Sequence, residues 1–512
     1  MPGIEEEVVQ QAGRAEAGAG TGDMSPEEFR RFGYAVIDWI ASYLEDPTRW
    51  RVTPATEPGA VRDALPPSPP DEPESMSDVL EDFERLIVPA TTHWNHPRFF
   101  GYFPSTGSGP GILAEALAAA LNVNAMLWRT APAATELEQH TVDWLRQLLG
   151  LPTTFRGVIT DTASVSTLYA LAAAREANAE LRVRQDGLPG RAEIPRLRIY
   201  ASEEAHSSVE KAAVTLGLGQ SGLRRIPTDE RFRMDPEALA AAIREDRANG
   251  ILPIAVVATI ATTATTAVDP VPAIADVCER EGLWLHVDAA YGGAAAVLPE
   301  MRWIFEGCDR ADSLVVNPHK WFFVPVDCSA LFIRRPEVLR RAFSIVPDYL
   351  TTAEDDRATN LMDYGVSLGR RFRALKLWFT LRYFGASGIA DRIREHLRLA
   401  RLFASWVDEH PEFERIAPVD FTLILFRHRP PQLTASRNGA AAGSDDQAAV
   451  EAALAEHNAR LLEQINATGE VFLSHTRASG RYALRLAIGN LRTTEQHLAY
   501  TWELVRRIAG AT

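Results

Sequence analysis

Lys320 is the only lysine, arginine or carboxylate between Asp312 and Asp327, set in the run Asn317-Pro318-His319-Lys320-Trp321. An ammonium in such apolar company loses its hydration and shifts towards the neutral amine unless an anion meets it. The neutral amine is a nucleophile that forms Schiff bases. Upstream, Leu283-Trp284-Leu285-His286-Val287-Asp288-Ala289-Ala290-Tyr291 reads as a buried strand that delivers Asp288 into a turn of small residues. Pyridoxal 5′-phosphate (PLP) needs such a pair: a lysine to take its aldehyde, and an acid that keeps its ring nitrogen protonated so that the ring withdraws electrons. A structural Lys320–Asp288 ion pair is the alternative that the spacing leaves open.

The elements around these residues alternate. Short apolar runs at 157–160, 197–200, 255–260, 284–287, 313–316 and 329–333 are separated by helical patterns at 164–178, 207–216, 235–248 and 271–281. That order predicts an α/β domain with a largely parallel sheet. Ligands collect at the carboxyl ends of such strands, where Thr160, Thr259, Asp288 and Asn317 all fall. The turn Thr160-Asp161-Thr162-Ala163-Ser164 joins a strand to a helix, so its amides and hydroxyls suit a phosphate, or else form an ordinary helix cap. His206 opens a helix with Ser207 and Ser208, a place where a capping or surface histidine is common.

Further out, Ser25-Pro26-Glu27-Glu28 carries the signals of a helix start, and apolar residues follow from Phe29 to Leu44 at helical spacing. A proline-rich link from 54 to 73 leads to a second amphipathic segment at 76–87, and neither segment has a core of its own. The aromatic stretch from Thr92 to Ser105 reads as a rigid loop or pocket wall. From about Ile389 the pattern becomes a smaller α+β domain, with strands expected at 421–426 and 482–488 and a surface loop at 434–446. The divisions expected are therefore a disordered tail at 1–24, a helical arm and pocket loop at 25–110, a large domain at 111–388 and a small domain at 389–512.

Composition bounds the function. The 512 residues are 46% apolar and carry a formal charge of −15 with no local basic cluster, which argues against a nucleic-acid partner. Cys278, Cys308 and Cys328 are odd in number and widely spaced, so neither disulfides nor a metal site is indicated and a cytoplasmic location is expected. The longest uncharged run, 248–268, holds Pro253 and five threonines, so no membrane span is expected.

Three motifs occur in order: Ala205-His206-Ser207-Ser208-Val209, His286-Val287-Asp288-Ala289-Ala290-Tyr291 and Asn317-Pro318-His319-Lys320-Trp321. From about Pro26 to the C-terminus the chain thereby resembles the aromatic L-amino-acid decarboxylases, members of the PLP-dependent group II decarboxylases. The resemblance implies a PLP-dependent transferase-like large domain (fold type I, aspartate-aminotransferase-like), and a homodimer in which the helical arm crosses the partner. It implies that Lys320 carries PLP, Asp288 meets the ring nitrogen, His206 stacks on the ring and helps place the substrate carboxylate, and Tyr349 returns a proton to the substrate. Thr162, Ala163, Ser164, Asn317 and His319 are implied at the phosphate, with Thr263 and Ala290 also at the cofactor. The family turn is usually Gly-Ser-Ala-Ser, so Asp161 is an unexpected charge there, and its side chain is expected to point away.

For the substrate, the resemblance implies Trp94, Tyr102, Phe103, Pro104 and Ser105, Arg485 from the small domain, and Asn124 and Met126 from the other subunit. Met126 and Val326 stand where animal members have phenylalanine, and Gly369 matches a plant position at which glycine accompanies indole substrates. Tyrosine, phenylalanine, tryptophan and dopa all stay open. Relatives that form aldehydes carry phenylalanine at the position of Tyr349 or asparagine at that of His206, and this chain has neither exchange. An aromatic aldehyde synthase and a decarboxylase of another amino acid, such as glutamate or histidine, are the enzymatic alternatives. A silent PLP-binding scaffold is disfavoured by the presence of Lys320, Asp288, His206 and Tyr349 together.

Overall fold

Seven strands build the sheet that carries the site: β1 (Arg156–Thr160), β2 (Leu197–Ser202), β3 (Leu223–Ile226), β4 (Leu252–Thr259), β5 (Trp284–Asp288), β6 (Ser313–Val316) and β7 (Ser329–Ile333). The computed structural model describes residues 22–347, 350–354, 357–434 and 444–511. Across the sheet the order is β1-β7-β6-β5-β4-β2-β3. Neighbours are parallel except around β7, which runs antiparallel to both β1 and β6. Alternate residues enter different cores: Val256 and Ala258 of β4 join Leu285 and Val287, whereas Ala255 and Val257 join Tyr169 and Ile199. Burial on both faces is why these strands read as unbroken apolar runs.

The expected helices form as Ala163–Glu176, Ser208–Thr215, Pro236–Ala248 and Val271–Glu281. β3 was not expected, because Arg224 and Arg225 interrupt its apolar character. It is an edge strand, and its arginines are held by Glu245, Asp246 and Glu210. A second, antiparallel sheet has the order β10-β11-β9-β8, with β8 (Phe413–Arg415), β9 (Leu423–His428), β10 (Ser474–Ala478) and β11 (Arg481–Ala487). β8 and β10 are short and polar, so they leave no apolar run to read. A long helix crosses the domain boundary expected at Ile389. It runs from Ala374 to Glu409 with a break at Gly385 (φ 64°) and packs Leu377 and Ile393 into the large core and Phe403 into the small one. Of the loop expected at 434–446, residues 435–443 lie outside the described ones, and a helix begins at Ser444. The expected tail is likewise outside them up to residue 21.

The arm starts with the helix Pro26–Glu45, whose N-terminus is closed by reciprocal bonds between Ser25 and Glu28. It buries no residue, and Phe29, Tyr34 and Ile37 face solvent. Among the described residues no helix is long and apolar enough to cross a membrane.

Beneath the strand ends runs a ladder of rings. Phe103 stacks on Tyr291 at 3.8 Å between centroids, Tyr291 on Trp321 at 4.9 Å, and Trp321 lies parallel to His396 at 6.4 Å. Trp321 Nε1 donates to His396 Nδ1 (2.9 Å), so the neutral ring carries its proton on Nε2 and donates to the Asn490 carbonyl (3.1 Å). Burial pulls the His396 pKa down to about 4. Gly292 follows Tyr291 where the chain passes under the sheet, and a Cβ there would stand 2.6 Å from Ala261 Cβ and 3.0 Å from the Ile260 carbonyl.

Two outcomes are expected. Gly292→Ala should lower the unfolding free energy by about 1–3 kcal/mol in denaturant titration, because its neighbours are backbone and a short side chain that cannot yield. An unfolded chain protonates His396 near pH 6.5 but the folded one only near 4, so folding excludes a proton between those values. Stability should therefore fall as pH drops from about 6.5 to about 4, with a contribution of about 3 kcal/mol from His396. His396→Gln, which takes up no proton, should show the shallower decline.

Candidate active site

Lys320 follows β6 on the short helix Pro318–Trp321, and Asp288 closes β5 beside it. The Lys320 amine sits 5.4 Å from the centroid of Phe103, the top ring of the ladder. Burial lowers its pKa; the Asp288 carboxylate opposes the fall and Arg485 adds to it. Asp288 is buried, and its Oδ1 accepts from the Ala290 amide at 3.1 Å. The Ala290 carbonyl in turn accepts from the Asn317 amide at 3.0 Å, tying the two strand ends together.

His206 lies between β2 and the helix Ser208–Thr215. Its Nδ1 accepts from the Ser208 amide at 3.1 Å and stands 2.9 Å from the Ser208 hydroxyl, which leaves the proton of the neutral ring on Nε2. Burial lowers its pKa, Asp288 raises it and Lys320 lowers it, so the ring stands within electrostatic reach of both. His319 is held in the same way. Cys328 donates its amide to Nδ1 (2.9 Å), and burial brings the pKa down to about 4 with Lys320 adding to the fall. Asn317 Nδ2 lies 3.3 Å from His319 Nε2 while Asn317 Oδ1 is buried without a partner among the described residues; with the proton on Nε2, turning the carboxamide over gives that proton its acceptor and frees the amino group as a donor.

On the other side, Thr162 is the first, extended residue of the turn into the helix Ala163–Glu176, yet its hydroxyl does not cap that helix. The amides of Ala163 and Ser164 have no acceptor within their helix, so they form an open anion-binding end. Asp161 is turned away from them, its Oδ1 2.9 Å from Arg373 Nη2. At two further strand ends, the hydroxyls of Ser202 and Thr259 are buried without a protein partner. A half-buried amine, a buried carboxylate, a flanking imidazole and an uncapped helix end, with unpartnered hydroxyls nearby, make a donor set that fits PLP.

Arg485 enters from β11. Its Cζ lies 4.6 Å from the Phe103 centroid, Nη1 donates to the Tyr102 carbonyl and Nη2 donates to the Thr263 carbonyl at 2.9 Å. Among the described residues it makes no ion pair, and burial pulls its pKa down to about 10. Thr263 thus contributes its backbone, and among the described residues its exposed hydroxyl makes no bond, while the neighbouring Thr262 points inward to Thr265 (2.9 Å). Trp94 stacks near Phe99 (4.4 Å) and Tyr102 (5.8 Å), with Pro104 buried and Ser105 half-buried beyond them.

Asn124 and Met126 form a separate group. They contact each other (3.4 Å) and the chain around Arg370, and a Cβ on Gly369 would lie 3.9 Å from the Asn124 amide. Val326 is exposed. Tyr349 lies outside the described residues. Sequence reasoning did not single out Arg373, Asp327, Tyr291 or Thr422 as parts of this site. Tyr291 carried a signal through its place in the Asp288 motif; the others are brought in only by folding.

Comparison with known proteins agrees with this donor set. Residues 58–429 match the family described as the pyridoxal-dependent decarboxylase conserved domain. The chain is 38% identical to tyrosine decarboxylase 4 of Petroselinum crispum over 95% of its own length and 94% of that protein's. It is 37% identical to phenylacetaldehyde synthase of a Rosa hybrid cultivar, covering 95% of each chain. The solved structure of Oryza sativa TDC with PLP and tryptamine superposes with a TM-score of 0.89 at 35% identity, over 96% of this chain and 99% of that one. Its cofactor is PLP, and the chain belongs to the pyridoxal-dependent decarboxylase family.

Proposed function

We propose that the protein is a homodimeric decarboxylase that converts aromatic L-amino acids, with tyrosine, phenylalanine, tryptophan and dopa as candidates, to arylalkylamines and carbon dioxide. The observation that carries the reading is the pair of cations sharing one ring: the Lys320 amine at 5.4 Å and the Arg485 guanidinium at 4.6 Å from Phe103, the latter with no carboxylate of its own. A buried unpaired guanidinium is a ready partner for a substrate carboxylate. The rings of Trp94, Tyr102 and Phe103, with Pro104 and Ser105, suit an aromatic side chain better than a short acidic one.

PLP, when bound, supplies an electron sink for the bonds at the substrate α-carbon. Lys320 is the amine that would tether it, and burial lowers its pKa towards the neutral, nucleophilic form. Asp288 holds a proton on the ring nitrogen. Thr162, Ala163 and Ser164 together with Asn317 and His319 would hold the phosphate, and Thr263 and Ala290 would border the cofactor. His206, whose Nδ1 is taken by the Ser208 amide, would offer its Nε2–H to the ring and the substrate carboxylate. Tyr349 is assigned the return of a proton to the α-carbon, on the resemblance alone. The ladder beneath Lys320 excludes water from this side.

The dimer reading rests on unburied apolar surface. The arm helix Pro26–Glu45 has no fully buried residue, and Leu113, Leu117 and Leu121 of the helix Gly109–Leu121 form an exposed stripe, each about half accessible. A twofold partner would cover both and bring Asn124 and Met126 to the neighbouring pocket. Three free buried cysteines fit a reducing cytoplasm. The similarity to an aldehyde synthase keeps oxidative formation of an aldehyde as the second reading.

Product analysis on PLP-loaded protein, offered each of the four amino acids separately, tests the activity. Amine with equimolar carbon dioxide is expected; aldehyde with oxygen consumption would replace the reading by the second one, and silence on all four would refute both. Lys320→Ala should abolish turnover together with the visible absorbance of the bound cofactor. Arg485→Met should lower kcat/KM about 10–100-fold, the worth of a charge-assisted bond. Sedimentation should give a dimer, and Leu117→Glu should shift it towards monomer.

A further inference from the structure

Asp161 stands one residue before the helix end assigned above to the cofactor phosphate. A loose carboxylate there would repel a dianion. This one is engaged at 2.9 Å by Arg373, whose side chain is only 11% exposed. The same guanidinium reaches Asp327, Nε to Oδ1 at 2.8 Å. Asp327 leads through Cys328 into β7, which starts at Ser329 between the ends of β1 and β6. The Cys328 amide donates to His319 Nδ1 at 2.9 Å and its carbonyl accepts the His319 amide at 3.2 Å. An unbroken polar path thus runs from the turn after β1 to the residue before Lys320. Asp161, Asp327 and Glu115 are matched by Arg371, Arg373 and Lys376, so the cluster is neutral as a whole.

We propose that Asp161 is a positioning residue for the cofactor phosphate: through Arg373 and Asp327 it sets the amides of Ala163 and Ser164 at a fixed distance from Asn317 and His319. The two halves of the phosphate cradle stand on strands that are not neighbours, since β7 separates them. The ladders of β7 with β1 and β6 fix the strand ends at Thr160 and Val316; the turn beyond Thr160 is outside those ladders, and the Asp161–Arg373–Asp327 bridge ties it to the segment leading into β7. The hydroxyl chain Thr160–Ser166–Ser329, at 2.7 and 3.0 Å, makes a second tie deeper in the protein. The inference rests on the reading of this turn as the phosphate site.

Charge alone and positioning predict opposite signs. Removing the carboxylate leaves the cluster one unit more positive, which by charge alone would tighten PLP. Loss of the bridge would loosen it. The test is equilibrium binding of PLP and of pyridoxal, which lacks the phosphate, to full-length apoprotein, with the rate of PLP release. Asp161→Asn, nearly isosteric, should weaken PLP by about tenfold and speed its release while leaving pyridoxal within about twofold. Asp161→Glu should recover part of the loss. Unchanged or tighter PLP binding overturns the proposal, and so does an equal loss for PLP and pyridoxal, the mark of a general structural defect. Ala163→Pro separates the two levels of the argument. Proline fits the first helical position but deletes one amide donor, so it should also shrink the PLP-to-pyridoxal preference. If Ala163→Pro leaves that preference intact, the phosphate is not held at this turn and the underlying reading fails. If Ala163→Pro reduces it and Asp161→Asn does not, only the bridge fails.

Discussion

A lysine in water keeps its proton to well above neutral pH, so an amine that is to react with a carbonyl has to be withdrawn from water. Withdrawal of Lys320 is achieved by aromatic packing: Phe103 lies under the amine, Tyr291 under Phe103, and Trp321 under Tyr291. Two charges then trim the result in opposite directions, Asp288 favouring the ammonium and Arg485 opposing it. The balance needs all three at once. Without Asp288 the amine would have no anion to hold its charged form, and without the ladder it would return to ordinary lysine behaviour.

The histidines around the site follow one pattern that protects this balance. His206, His319 and His396 each spend Nδ1 as an acceptor from a protein N–H, and burial lowers the pKa of all three. A ring fixed in that way stays neutral and offers a single donor in a set direction. Among the described residues the cations that share Phe103 are then Lys320 and Arg485. Near the uncapped helix end, the acids and bases of the Asp161–Arg373 cluster cancel, so an anion bound at the proposed phosphate site would be attracted by aimed donors more than by net charge.

Much of this was legible in the sequence because parallel strands buried on both faces leave continuous apolar runs. The ends of those runs mark where ligands bind. Asp288, Asn317 and Lys320 could be placed for that reason, and Thr160 likewise. β3 escaped because an edge strand tolerates Arg224 and Arg225, and β10 because its residues are polar at nearly every position. Thr263 illustrates a different limit: a motif names a residue, but whether the hydroxyl or the carbonyl acts depends on what folds against it, here Arg485. The partnership of Asp161 with Arg373 joins residues far apart in the chain, and no periodicity encodes it. Sequence supplied only the physical demand that the Asp161 charge be turned away from an anion.

Both sheets are needed to build the cavity. The small sheet sends Arg485 from β11 to the carbonyls of Tyr102 and Thr263, and Thr422, at the edge of β9, meets the hydroxyl of Tyr291. Asn490, just beyond β11, donates to the His96 carbonyl, and its own carbonyl accepts from His396. These bonds fall on the ring ladder or on the pocket loop, the two features that screen Lys320 and shape the substrate side. A buried guanidinium whose partners are main-chain carbonyls is demanding, since any shift of the small sheet would leave it unsatisfied in a low-dielectric setting. Docking of the small sheet therefore brings the Arg485 charge to Lys320 and braces the ring ladder through Thr422, which ties the site to both sheets rather than to the seven strands alone.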